Sequence, residues 1–367
     1  MNRRRILFAT AGSVLTRGHG LAALLPGPHV VFLNPGESAE RGTGKHWQLV
    51  SKYMSVAARD LGMRLEVLYA ERDHMLMLRQ AELVANLAPA PDFVVVVNEK
   101  MAALEMLQIL SRTTSKVMLI HNDLTDQQRR IVGDERQRIR NWIGTLTADA
   151  SSAGYRLMEY LCRDQTESPS VIGITGDPKT PVSMERAAGV EKWLSRTPHA
   201  HLNQLAYSDW SFSDSYAKAL VLLARYPETN VIWGANDSIT LAASKATEVR
   251  HIRARVGGMG ALPDALNHVL NGKLTAMMAG DYFIGAFALV LLYDYHNGID
   301  FSQYGGARKR SDFLAVVKND NAASYYEAVF DKWWSLDFGI YSKIRSRYSG
   351  SYDFRLSRML GATVRVA

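Results

Sequence analysis

The 367-residue chain has a single cysteine, Cys162. One thiol makes neither an internal disulfide nor a cysteine-based zinc site, so the fold does not depend on the redox compartment. Cys162 lies in an apolar helical stretch and reads as a buried structural thiol. The sequence also has no apolar run long enough to span a bilayer. The most apolar stretch, Ile284 to Leu292, is closely bracketed by Asp281 and Asp294. Catalytic signatures are absent as well. The stretch from Ala39 to His46 lacks the first glycine of a phosphate loop and the Ser/Thr that follows its lysine. The glycines at 257, 258 and 260 have the wrong spacing for a dinucleotide fingerprint, and no Gly-x-Ser-x-Gly elbow occurs. His199 and His201 suggest no third metal ligand. The reading is therefore no catalytic residue, no metal and no cofactor.

What is present is a basic balance, 43 Lys and Arg against 36 Asp and Glu. These charges are dispersed, with clusters at Arg3–Arg5, Gln127–Arg140 and Arg308–Arg310 that read as solvated faces and loops. Residues 1–28 read as an export leader. Arg3, Arg4 and Arg5 precede the apolar run Ile6–Leu15, and the paired arginines resemble a twin-arginine signal. Arg17 and His19 interrupt that pattern. Only 28 residues precede the first expected strand, and they include Gly18, Gly20, Pro26 and Pro28. That leaves no helix-turn-helix domain in front of the core, and no nucleic-acid partner is expected.

From residue 29 onward the hydrophobic period alternates. His29–Asn34, Arg64–Ala70, Asp92–Asn98 and Lys116–His121 read as strands between amphipathic helices such as Trp47–Leu61 and Met75–Leu87. A charged stretch, Leu124–Arg140, breaks the rhythm. A second series then runs from Asn141 to Ala279, with strands at Ser170–Thr175, His201–Tyr207, Asn230–Ala235 and Arg255–Gly258. Continuous apolar strands between helices imply parallel sheets covered on both faces. The fold class is α/β, with two doubly wound lobes joined by a hinge. After Ala323 the tail reads as a helix and an ordered extension packed on the body.

Ligands of open parallel sheets bind beyond the carboxyl ends of the strands. Those ends carry Asn34, Asn98, Asn122 and Asp123 in the first series. In the second they carry Asp177, Trp210, Asn236, Asp237 and Asp281. Asn and Asp offer matched donors and acceptors to hydroxyls, and faces such as Trp47 and Trp210 suit the C–H face of a sugar. Taken singly, these residues are as well explained as turn and capping groups. Their recurrence at one level in both lobes is what points to a site.

Three stretches carry a resemblance. Val171–Gly176 is followed by Met184 to Val190, which includes Arg186 and Gly189. Val231–Ala243 contains Asn236-Asp237. Val256–Gly260 continues to Ala276 through Asn271-Gly272. Over about residues 29–320 the chain resembles the type I periplasmic binding proteins for sugars, the ribose- and galactose-binding group. The resemblance implies that Arg186 donates to ring or hydroxyl oxygens and Asn236 bonds hydroxyls. It places Asn98, Asn122 and Asp123 in the first lobe's share of the site, with Asn34 and Trp47 closing that side. Trp210 stacks from the second lobe, and Asp281 is a polar group on the hinge side. Two positions depart from the pattern. Met259 replaces an aspartate, and Asp149-Ala150 replaces an Asp-Asn pair. Both departures remove sugar-binding groups and point to a ligand that is unusual, less hydroxylated or held differently. The insertion before Asn141 and the tail with Trp333, Trp334, Asp337 and Phe338 resemble longer members that present a ligand to a membrane sensor.

The resemblance implies a non-enzymatic, monomeric periplasmic protein that delivers a small polar ligand, a sugar or polyol, to an ABC permease. The alternative is a receptor that signals through a membrane histidine kinase. The expected division is 29–147 plus 281–311 for the first lobe and 148–280 plus 312–324 for the second. Residues 325–367 form the extension.

Overall fold

The computed structural model describes residues 27–41, 45–346 and 349–361. The leader, but for its last two residues, lies outside the described residues. Twelve strands form two six-stranded sheets among the described residues. In chain order they are β1 His29–Asn34, β2 Arg64–Tyr69, β3 Phe93–Val97, β4 Lys116–Ile120, β5 Trp142–Ala148 and β6 Ser170–Thr175. Then come β7 His201–Tyr207, β8 Val231–Gly234, β9 Arg255–Gly260, β10 Ala276–Ala279, β11 Arg308–Ser311 and β12 Ala315–Lys318. The first sheet has the order β11-β5-β4-β3-β1-β2 and the second β12-β10-β9-β8-β6-β7. All neighbours are parallel except β10 and β12. Central strands such as β3 and β8 are buried along their whole length, which explains their unbroken apolar sequence.

The helices that cover the sheets are α1 His46–Leu61, α2 His74–Ala85, α3 Ala103–Leu110, α4 Asp126–Val132, α5 Ala150–Leu161 and α6 Pro181–Ser195. They continue as α7 Phe212–Arg225, α8 Asp237–Arg250, α9 Pro263–Leu270, α10 Ile284–His296 and α11 Asn319–Tyr326. The chain crosses between sheets three times. It crosses after β5, again after β10, and finally between β11 and β12. Helix α10 is apolar because it is enclosed, not because it meets lipid. Ile284 to Leu292 are all buried, packed against α1, β4, β5 and the tail.

Two charge clusters differ from the solvated surface expected of them. Arg308–Arg310 lies in β11, an edge strand that buries Lys309. Residues 124–140 contain α4, opened by a capping box between Thr125 and Gln128. There Arg129 is buried and bonds Asp123, Asp134 and Glu135, while Arg136 forms an ion pair with Asp300. Alternating charges of opposite sign, rather than a run of one sign, permit this interior network.

The tail after α11 is a set of short helical turns fastened to the first lobe. Tyr53 Oη on α1 donates to the Val329 carbonyl (2.8 Å). Phe354 stacks on Phe287 of α10 at 4.6 Å between ring centres. Buried Asp294 accepts from Ser342 Oγ, the Lys343 backbone N–H and Tyr352 Oη.

Candidate functional site

A cavity with about 640 Å³ of non-protein space, part of it open to solvent, lies at the carboxyl ends of the strands of both sheets. The first lobe sends His46 and Trp47 from the first turn of α1, Arg72 from beyond β2, Glu99 from beyond β3, and His121 with Asn122 from the end of β4. The second lobe sends Thr180, Val182 and Arg186 from α6 and its entry, and Trp210 from the loop after β7. It also supplies Asn236, Asp237 and Ser238 at the start of α8, and Met259, Gly260 and Leu262 around the end of β9. Asp281, beyond β10, stands at a crossover.

Asp281 is the centre of the polar network. Its Oδ2 accepts from Arg186 Nη2 and faces His121 Nε2 at 3.0 Å, so it joins a side chain from each lobe. Arg186 Nη1 donates to the Ala235 carbonyl (2.7 Å). The other His121 nitrogen, Nδ1, meets Asn122 Oδ1 at 3.2 Å. Burial alone would raise the Asp281 carboxyl, but the charges of His121 and Arg186 overrule it and hold the group well below the usual carboxylate range. Asp237 shows the opposite balance. Burial pushes it up to about 7, although the Leu262 backbone N–H donates to its Oδ1 at 2.7 Å. Its other oxygen lies so close to Gly260 that a Cβ there would meet it at 1.7 Å. Gly260 also has φ +128°, a conformation that L side chains rarely adopt. Burial likewise drives the His46 imidazole down to about 3, keeping it neutral.

Six of the nine residues singled out from the sequence line this cavity: Trp47, Asn122, Arg186, Trp210, Asn236 and Asp281. Asn236 does so while capping α8 through Ile239 N–H and donating to the Trp210 carbonyl. The structure places Asn34, Asn98 and Asp123 outside the cavity wall, and their hydrogen-bonding groups are spent on the scaffold. Asn34 Nδ2 donates to the Trp47 carbonyl and Ser51 Oγ, and its Oδ1 accepts from Gly36 N–H. Asn98 Nδ2 donates to the Asp123 carbonyl and Gln128 Oε1, while its Oδ1 accepts from Ala103 N–H. Asp123 is engaged by Arg129 and Arg308.

His46, Arg72, Thr180, Val182 and Leu262 are not read from the sequence as site residues, Glu99 and His121 are passed over inside segments that are singled out, and Asp237 is read only as a strand-end group. Helical spacing could find Val182, four residues before Arg186 on the same face of α6. His46 stands out in the sequence only as the end of a failed phosphate loop. Nothing in the local sequence marks Leu262.

Among the described residues, His46, His121 and Asp281 are the group that could hold a metal ion, their ligand atoms lying within 4.8 Å of one another. The arrangement fits a divalent cation poorly. Asp281 Oδ2 already binds the permanently charged Arg186 guanidinium, which would face the metal across one shared oxygen.

Two sheets whose strand ends converge on one cavity, bridged through Asp281, define a two-lobed binding protein with its site in the cleft. Comparison with known proteins agrees. Residues 38–300 match the family described as a periplasmic binding protein domain, and the chain belongs to that family. It is 31% identical to a periplasmic sugar-binding protein from Pseudomonas fluorescens, with a TM-score of 0.80, covering 91% of this chain and 100% of that one. An ABC transporter periplasmic solute-binding protein from Actinobacillus succinogenes, solved with D-allose, shares the fold at 18% identity and a TM-score of 0.70 (81% and 100% covered). So does a Caulobacter myo-inositol-binding protein, at 18% and 0.65 (80% and 94%). No curated protein matches the chain. The family and these structures are binding proteins rather than enzymes. No described helix is long and apolar enough to cross a membrane.

Proposed function

We propose that the chain is a periplasmic solute-binding protein that holds one neutral sugar or polyol between its lobes and delivers it to an ABC permease. The observation that carries this reading is the compensated charge of the cavity. Arg186 is matched by Asp281, and Arg72 forms an ion pair with Glu99 at 2.7 Å. Asp237 is buried, and its Oδ1 accepts the Leu262 backbone N–H at 2.7 Å. An anionic ligand would meet no cation that lacks a facing carboxylate, since Arg186 and His121 face Asp281 and Arg72 faces Glu99, whereas hydroxyls can share the polar groups already fixed in place. Trp47 and Trp210, one from each lobe, offer the broad apolar faces that a sugar ring stacks against. The protein acts as a monomer without catalysis, and its closed form is the species the permease reads.

The test is a thermal-shift screen against neutral sugars, polyols, amino acids and nucleosides, followed by calorimetry. A ligand that binds only the folded state raises the melting temperature. Sugars or polyols should raise it, and Arg186→Ala and Asn236→Ala should each weaken their binding. A shift with charged amino acids and none with any sugar or polyol would reject the reading.

A further inference from the structure

The cavity wall is uneven in a way that narrows the ligand beyond a neutral sugar, and the inference rests on that proposed function. Three apolar side chains from the second lobe line it, namely Val182, Met259 and Leu262, and Trp210 joins them. Each is nearly inaccessible in the structure, with Met259 1% exposed. None of the three can accept or donate a conventional hydrogen bond to a hydroxyl.

The acidic groups, the strongest acceptors for sugar hydroxyls, already have partners within the protein. Glu99 is paired with Arg72, Asp237 takes the Leu262 N–H, and Asp281 takes Arg186 and His121. The buried cavity atoms still lacking a hydrogen bond, among the described residues, include His46 Nε2, Glu99 Oε1, Asn122 Nδ2, Thr180 Oγ1 and Arg186 Nε. These can serve part of a sugar's perimeter. A hydroxyl pressed against Val182, Met259 and Leu262 would lose its water and gain nothing, which is the costly outcome for a buried polar group.

We propose that the ligand is a deoxy sugar, one that presents a methyl or methylene group in place of a hydroxyl to the Val182–Met259–Leu262 wall. Its remaining hydroxyls are taken up by Arg186, Asn122, Thr180 and His46. Met259 sets this preference because it is the one residue of the three that belongs to a strand, held in β9 beside Met278 of β10 and next to Gly260, where Asp237 closes in.

The experiment uses sugar pairs that differ only at one carbon: D-fucose with D-galactose, L-fucose with L-galactose, and L-rhamnose with L-mannose. Titration calorimetry on the full chain should show that, in at least one pair, the 6-deoxy member binds ten times more tightly or better. In Met259→Ser that ratio should shrink at least threefold, while Met259→Leu, which keeps the apolar wall, should preserve it. If the hydroxylated member of every binding pair binds equally well or better, the deoxy preference is wrong and the sugar-binding reading stands. The deoxy preference also falls if the ratio is unchanged in Met259→Ser, since the wall would then not be what selects. If none of the six sugars binds and a wider panel of sugars and polyols also fails, both readings fall together.

Discussion

Arg186 is pinned by acceptors on two segments, the Ala235 carbonyl after β8 and the Asp281 carboxylate after β10. Replacing it with alanine leaves a buried carboxylate facing only His121. Breaking a buried ion pair by removing one partner typically costs about 3–5 kcal/mol. Arg186→Ala should therefore lower stability by about that amount in urea denaturation at pH 7, besides weakening ligand binding. His46 makes a separate prediction about acid. Its ordinary value is 6.5, and in the fold burial lowers it to about 3. Below 6.5 the unfolded chain takes up a proton that the folded chain refuses, so stability falls as pH drops from 6.5 toward 3. His46→Gln removes that contribution. Its melting temperature should decline less between pH 7 and pH 5 than the parent's, as read by calorimetry. Gly260 adds a steric case. A side chain there meets both the positive φ and the Asp237 carboxylate. Strain of this kind costs about 1–3 kcal/mol. Gly260→Ala should lose at least that in urea denaturation, and a variant as stable as the parent would show that the corner relaxes.

Legibility at this scale follows how each residue is used. Arg186, Asn236 and Asp281 can be read because they sit at strand ends or in a family pattern, where position alone brings them to the cleft. Asn34 and Asn98 sit at equivalent strand ends, yet their amides are consumed by the first turns of the neighbouring helices. The sequence shows the same residue type in both situations. Only the direction of the amide separates ligand group from scaffold, and that is set by distant partners such as Gln128.

Among elements, the strands with unbroken apolar character are the most legible, since two-sided burial leaves no room for polar residues. Strand β7 is also legible to its ends, although it is only half-buried at the sheet edge. Strand β11 is opaque for the opposite reason. Its Arg-Lys-Arg-Ser sequence has none of the apolar character of a strand, and it is ordered by pairing with β5 from Thr145 to Ala148. Lys309 is accommodated there with its ammonium on the Tyr304 carbonyl (2.7 Å), and burial lowers its pKa to about 8. The sequence implies the tail as a packed extension, but not its anchors. Phe354 is 2% exposed and stacks on Phe287. Truncating a buried aromatic costs about 3–5 kcal/mol. Phe354→Ala should lower stability by that much, and Trp333–Trp334 fluorescence should change together with circular dichroism. A tail transition that precedes the main one would show that the extension is only loosely coupled to the lobe.

At the scale of the molecule, Asp281 belongs to a crossover segment and touches a side chain from each lobe, so rotation about the crossovers remakes its contacts. Ligand between the lobes favours the closed arrangement by its contacts with both. Small-angle scattering should show a smaller radius of gyration at saturating ligand than without it. An unchanged radius would mean that the lobes bind without moving. The two-lobed plan is legible because it is a repetition of one strand-and-helix rhythm. The route of the last segments is not, because pairings such as β10 with β12 are set by contacts between residues distant along the chain.

That route also governs how the chain can fold. β11 completes the first sheet and β12 the second, although each comes after all the other strands of its sheet. The bond from Tyr53 to Val329 spans 276 positions. Closing loops of that length is slow, and it precedes the contacts that reward it. Neither lobe is complete until the other has been threaded, so the two halves should acquire their final structure in one late step rather than one after the other.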